Sequence, residues 1–181
     1  MKNAFEKHGR GYVSPSLINT FISNPAMCLL NIAGFYDSAG PAAWRGTSAD
    51  KAITKAGMER DVHIDDLITF ATEVFDNEHR ESVTAIDPEK IQKERASIPR
   101  YIENGVPWIR TLPEIDSSQG KVLCQYEEIP VPVVGYYDLV IGDQVRDIKT
   151  SATTPSKLSE AHSRQLAVYW KGTKGKQPWV D

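Results

Sequence analysis

The stretch from Val133 to Ser151, VVGYYDLVIGDQVRDIKTS, constrains the fold most, because it sets Asp138, Asp147 and Lys149 inside two runs that otherwise read as short apolar strands. Gly142-Asp143 stands between runs rich in Val, Ile and Tyr, the signal of a two-residue hairpin turn. That turn predicts Ile141 opposite Gln144, Val140 opposite Val145, Asp138 opposite Asp147 and Tyr136 opposite Lys149. The two aspartates then share one face, and Lys149 follows Asp147 on that face. Like charges with Cβ atoms roughly 5 Å apart destabilise a sheet. A divalent cation between them reverses the sign, since Mg²⁺ takes carboxylate oxygens, keeps several waters and often shares its shell with phosphate. The face therefore has the composition of a metal-assisted phosphoester site. The alternative, on these residues alone, is a solvated hairpin face on which Asp147 and Lys149 are surface charges.

A chain of 181 residues fits one domain with a sizeable core, and 40% hydrophobic with 25% charged residues is the balance of a soluble globular protein. The opening MKNAFEKHGRGY has no apolar signal core, and no run approaches the roughly 20 apolar residues of a membrane span, so the expectation is a cytoplasmic protein with no membrane partner. Cys28 and Cys124 lie far apart and form no CxxC pair. Two reduced structural thiols are expected, with too few ligands for a zinc knuckle or an iron–sulfur cluster. A net charge of −3 argues against coating nucleic acid by bulk attraction. Its distribution is uneven: acids outnumber bases from Glu59 to Glu94, whereas from Arg146 to Lys176 bases dominate, a tail that suits a phosphate backbone or simply a solvated basic helix.

Along the chain, Ser14 reads as an N-cap with Pro15 at the first helical position, and Leu17, Ile18, Phe21 and Ile22 recur at helical spacing until Asn24-Pro25 breaks or kinks the helix. PAAWRGTSADKAITKAGMER predicts a second helix, and IDDLITFATEVFDNEH a third with Leu67, Phe70, Ala71, Val74 and Phe75 on one stripe. Asp87-Pro88 caps a fourth helix that Pro99 is expected to end. A β region follows from about Val122, and Thr154-Pro155 is expected to open a last helix through Trp170. The order, helices, then a β meander, then a helix, predicts an α+β fold. On the last helix Gln165 and Tyr169 are one turn apart, so an amide and a phenol share a face. Tyr169 reads equally as a half-buried boundary residue.

These pieces together resemble the PD-(D/E)XK nuclease superfamily, in its RecB-like exonuclease branch of phage and CRISPR-associated type. GYYDLV is similar to the family's G-x-x-D strand, VRDIKTS to its D-x-K strand and RQLAVY to its Q-x-x-x-Y helix; SPSLINTFISNP is similar to the opening helix and WRGTSAD to the R-G-x-x-x-H segment. The likeness covers most of the chain from Val13 to Trp170. It implies one restriction-endonuclease-like domain over residues 1–181, a mixed β-sheet flanked by helices, with a helical region over about 13–104 and a β meander and final helix over about 121–171. It further implies a metal-dependent deoxyribonuclease, an exonuclease of phage or bacterial recombination, replication or repair, with DNA and a recombination or replication protein as partners. Asp138 and Asp147 match the carboxylates that hold Mg²⁺ or Mn²⁺, with the Ile148 carbonyl as a further ligand. Lys149 matches the lysine that orients the attacking water, and Gln165 and Tyr169 match a pair that shapes the site or contacts DNA. The rival reading is a noncatalytic DNA-binding or assembly subunit that keeps the fold; another is an interaction protein whose acidic segment from Glu59 to Glu94 binds a partner.

Three departures stand out. Asp50 occupies the place of a metal-binding histidine, which makes the implied ligand set all oxygen; the alternative is a helix-surface aspartate. Asn24 precedes Pro25 where cluster-bearing relatives have Cys, which again excludes an iron–sulfur cluster. The chain ends at KGKQPWVD, where relatives continue into another strand, the pattern of a sequence truncated at its C-terminus. Glu127 and Glu128 are placed on the strand before Asp138, where either could add a carboxylate to the metal. His8, His63 and His79 are expected at the surface, and His162 at the surface or at DNA.

Overall fold

The computed structural model describes residues 3–35, 39–82, 85–151 and 156–181. Among these residues the fold is α+β, with seven helices and one four-stranded mixed sheet in two compact units. The first unit gathers α1 (Ala4–Lys7), α2 (Pro15–Ser23), α3 (Pro25–Ile32), the sheet and α7 (Glu160–Gly172). The second gathers α4 (Pro41–Met58), α5 (Ile64–Glu81), α6 (Pro88–Thr111) and residues 148–151. No helix among the described residues is long and apolar enough to cross a membrane.

In the first unit, Ser14 caps α2 through its hydroxyl, Pro15 follows at the first position, and Asn24 ends α2 while its side chain caps α3. The break expected at Asn24-Pro25 is therefore a shared cap. Of the α2 stripe only Leu17 is buried; Ile18 is partly covered, while Phe21 and Ile22 are exposed. Val13 bridges to β2 (Ile129–Ile141) through Val13 N to the Pro132 carbonyl at 3.0 Å and Val134 N to the Val13 carbonyl at 2.8 Å. The core joins Val13, Leu17 and Cys28 to Val122, Val133, Val140 and Val145 of the sheet and to Leu166, Val168 and Tyr169 of α7.

The sheet order is β1 (Ser117–Tyr126), β2, β3 (Gln144–Asp147), β4 (Gln177–Val180), antiparallel except for the parallel β3–β4 pair. The hairpin register is the one the turn predicts: Ile141 pairs with Gln144, Val140 with Val145 and Leu139 with Arg146. One expectation about its open end fails. The strand stops at Asp147, so Lys149 lies beyond it and does not stand opposite Tyr136. The reason is that residues 148–151 leave the sheet for the helical unit, where a Cβ at Gly46 of α4 would lie 3.6 Å from Thr150 Oγ1.

Glu127 and Glu128 are not in a strand. They form the turn closed by Tyr126 and Ile129, both exposed, at the opposite end of β2 from Asp138. Nine residues of strand at about 3.3 Å each separate Ile129 from Asp138 by roughly 30 Å, so neither glutamate reaches the Asp138 carboxylate. β1 starts at Ser117, earlier than Val122, because pairing with Val140 and Leu139 carries Ser117 and Ser118 into the ladder despite their poor strand propensity. A strand also follows the last helix: Gln177–Val180 pairs with Gln144–Asp147, making β3–α7–β4 a parallel crossover. That helix begins at Glu160 with Ser159 as its cap, Ser159 Oγ accepting from His162 N at 3.2 Å; Thr154-Pro155, expected to open it, lies outside the described residues.

In the second unit Leu67, Ala71 and Phe75 of α5 are buried, with Phe70 and Val74 partly so. Pro99 does not end α6, which continues through Pro107 to Thr111. A proline inside a helix costs about 3 kcal/mol, whereas burying each of Ile102, Val106 and Ile109, all nearly inaccessible, is worth about 1.5–3 kcal/mol. The apolar stripe outweighs the lost hydrogen bonds. Close approach of α4 and α6 depends on reciprocal notches: a Cβ at Gly105 would meet Ile53 Cδ1 at 2.4 Å, and one at Gly57 would meet Ile109 Cγ1 at 2.7 Å. Asp76 takes both Arg95 Nε and Nη2 at 2.7 Å, and these hydrogen bonds hold its carboxyl below the usual carboxylate range.

Candidate active site

Asp147 is the last residue of β3 and is only 2% exposed. Alternation puts it on the side of Val145, and the core contacts put Val145 against α7. Its Oδ1 accepts from Gln165 Nε2 at 3.1 Å and lies 3.2 Å from the Tyr169 hydroxyl. Gln165 Nε2 also donates to the Tyr169 oxygen at 2.5 Å, and that hydroxyl donates to the Tyr136 carbonyl of β2. Helical spacing thus carries an amide and a phenol to one carboxylate, and the same phenol ties that carboxylate to the strand bearing Asp138.

Close packing of α7 on the sheet depends on Gly135, whose added Cβ would meet Tyr169 Cε1 at 2.9 Å and Val122 Cγ2 at 3.2 Å. The glycine of GYYDLV is therefore the floor on which the tyrosine of RQLAVY lies. Asp138, three residues on in β2, is half-buried. Burial, then the Asp147 charge, pushes the Tyr169 phenol above its ordinary value; the Asp138 charge adds to this, and the Gln165 hydrogen bond opposes it. Tyr169 consequently stays a neutral hydrogen-bond donor across the physiological range. Both sequence-predicted carboxylates act on the same phenol.

Tyr169→Phe keeps the ring on Gly135 and removes the hydroxyl that reaches the Tyr136 carbonyl and Asp147. We expect it to destabilise the protein by about 1–3 kcal/mol, the cost of leaving a buried polar partner behind. Urea unfolding checks this, and a loss under about 0.5 kcal/mol would show the phenol to be a packing group only.

The next backbone unit, Ile148, is buried, and Lys149 is exposed. Both belong to the second unit with α4. On α4 the WRGTSAD residues divide by role. Arg45 Nη1 pairs with Glu94 Oε2 at 2.7 Å and its guanidinium lies 4.5 Å above the Tyr101 ring, so this arginine locks α4 to α6. Gly46 faces Thr150, and Asp50, one turn later, shares that helix face. Thr54 Oγ1 lies 3.4 Å from Asp50 Oδ1. Among the described residues no three His, Cys, Asp or Glu side chains form a group able to hold a metal ion. The Asp147 carboxylate and the carbonyl of the next residue, Ile148, are nonetheless hard oxygens, which suit Mg²⁺ better than a softer metal.

Sequence reasoning missed Arg146 and Asp181. Arg146, on the opposite side of β3 from Asp147, pairs with Asp181 Oδ1 at 2.6 Å, donates from Nη2 to Gln144 Oε1 at 2.7 Å and stacks 5.3 Å from the Trp179 ring. Asp181 N in turn donates to the Asp147 carbonyl at 3.1 Å. Burial raises the Asp181 carboxyl, the Arg146 hydrogen bond and charge oppose this, and the Asp147 charge adds to it. The alternation of VRD shows that Arg146 leaves the Asp147 side. Nothing local shows its partner, which arrives only through the pairing of β4.

The histidines keep to the periphery: His8 and His63 are exposed, His162 is half-buried, and His79, also exposed, stacks 5.5 Å from Trp44. Cys28 and Cys124 are buried free thiols, each pushed above the ordinary value by burial. No protein-family model, curated protein or solved structure matches this chain.

Proposed function

We propose that the chain is a metal-dependent deoxyribonuclease of the PD-(D/E)XK type. The observation that carries the reading is the convergence of Gln165 and Tyr169 on the Asp147 carboxylate, three residues from two separate motifs meeting where the resemblance requires. The order of elements, a helix, β1–β2–β3, α7 and then β4 beside β3, also agrees with the implied restriction-endonuclease-like core.

Asp138, Asp147 and the carbonyl of the next residue, Ile148, would hold Mg²⁺ or Mn²⁺, the ligands that the resemblance implies. A bound metal of this kind lowers the pKa of its water and polarises a phosphoryl oxygen. The chain's own residues do the rest. Gln165 and Tyr169 hold Asp147 Oδ1 in one orientation, as outer hydrogen-bond partners do for ligating carboxylates. Tyr169, kept neutral, does so without adding charge. Lys149, exposed two residues after Asp147, orients the attacking water and sets an ammonium against the negative charge that grows on the phosphoryl oxygens.

Cleavage of end-labelled linear and circular DNA with Mg²⁺, Mn²⁺ or EDTA, beside Asp147→Ala, tests the reading. Metal-dependent loss of linear DNA, absent in the variant and with circles spared, is the expected result and marks an exonuclease. A folded sample that cuts neither substrate with either metal would replace it with a noncatalytic DNA-binding subunit.

A further inference from the structure

The first unit carries a groove that the proposed chemistry does not use. The turn His8–Tyr12 forms one side and Ile32 and Gly34 the other, enclosing about 450 Å³, a volume in the range of small-ligand sites. Its charge is one-sided. Lys7, His8 and Arg10 open a stretch with no acidic residue from Lys7 to Phe35, in a chain whose net charge is −3. Glu6, the acid that precedes this stretch in sequence, is occupied as the capping-box partner of Asn3. Arg10 is half-buried and fixed by donation from Nη2 to the Asn31 carbonyl, which engages one of the five N–H groups of its guanidinium.

The backbone adds donors. Gly9 N and Arg10 N donate to the Glu6 and Phe5 carbonyls at 3.1 and 2.9 Å, whereas the Gly11 and Tyr12 amides have no backbone partner among the described residues. Two aromatic side chains here stand outside the core: Tyr12, which lines the groove, is 42% exposed, and Phe35, next in sequence to the lining residue Gly34, is 70% exposed. Phe35 is held on a firm turn, Gly34 N donating to the Asn31 carbonyl at 3.2 Å and Phe35 N to that of Leu30 at 2.9 Å. A fixed guanidinium and amides without a backbone partner among the described residues suit phosphate, and exposed rings suit bases.

We propose that the His8–Tyr12 groove with Phe35 is a binding subsite for single-stranded DNA, Arg10 and the Gly11 and Tyr12 amides holding phosphate and the two rings stacking bases. The inference rests on the reading of the chain as a DNA-processing protein. It names the strand form the protein grips away from Asp147.

Fluorescence anisotropy of a labelled 20-nucleotide oligo-dT in EDTA tests it without turnover, alongside the cleavage assay on wild type. Tyr12→Ala and Phe35→Ala, both at exposed rings, are each expected to weaken binding about ten-fold or more. Arg10→Gln should flatten the plot of log affinity against log salt by about 0.7 for each phosphate that the arginine neutralises. Because Arg10 also braces Asn31, His8→Ala serves in its place should Arg10→Gln fail to fold. Wild-type cleavage with undiminished binding in the Tyr12 and Phe35 variants would overturn the subsite alone. Binding that these variants lose, from a wild type that cuts no DNA, would overturn the nuclease and leave the subsite standing. No oligonucleotide binding by folded wild type would overturn the subsite.

Discussion

Lys149→Ala is expected to lower metal-dependent DNA cleavage by about 100- to 1,000-fold, the usual cost of removing one group aimed at developing charge. The melting temperature should stay within about 2 °C, because an exposed side chain outside any strand contributes little to stability. The pairing of these outcomes is what makes the test informative. Lys149 stands beyond the end of β3, so its loss leaves the sheet ladder in place. A drop in kcat/KM with the fold intact therefore reports on chemistry. Lys149→Arg keeps the positive charge but not its compact position, and should recover only part of the rate. Full cleavage by Lys149→Ala would remove this residue from the mechanism.

The largest stability effect should come from Trp44→Ala, at about 3–5 kcal/mol. Trp44 is 2% exposed; its ring meets Phe75 edge-on with centroids 5.7 Å apart and stacks on His79 at 5.5 Å. Truncation would leave a large cavity between α4 and α5 that rigid helices close only in part. For a chain of this size such a loss lowers the melting temperature on the order of 10 °C, measurable by calorimetry. Trp44→Phe, which keeps an aromatic ring in the slot, should lose substantially less. A Trp44→Ala protein melting within about 2 °C of wild type would show that this ring does not hold α4.

Much of the fold was legible because local rules and packing agreed. Ser14-Pro15 marks a helix start and Asn24-Pro25 a helix break by capping chemistry that needs no tertiary partner. Gly142-Asp143 set the hairpin register, since a two-residue turn leaves the flanking strands only one pairing. Failures came where a distant partner overrode the local signal. Pro99 reads as a stop, yet Ile102, Val106 and Ile109 continue to find α4 and α5, and burial outweighs the lost bond. Glu127 and Glu128 read as strand residues because Tyr126 and Ile129 do; only the pairing of those two makes them a turn.

For the candidate site the division is similar. Helical spacing alone put Gln165 and Tyr169 on one face, and strand alternation put Asp147 with Val145; both are periodicities of the backbone, readable without any partner. That the two faces meet, with Tyr169 seated on Gly135 and its hydroxyl against Asp147, was decided by the packing of α7 onto β2 and β3. The departure of Lys149 from the strand, and the pairing of Arg146 with Asp181, were likewise decided in three dimensions. A sequence specifies directions along an element through its period, but which elements face each other follows from burial summed over the whole chain, and that sum exists only in the folded protein.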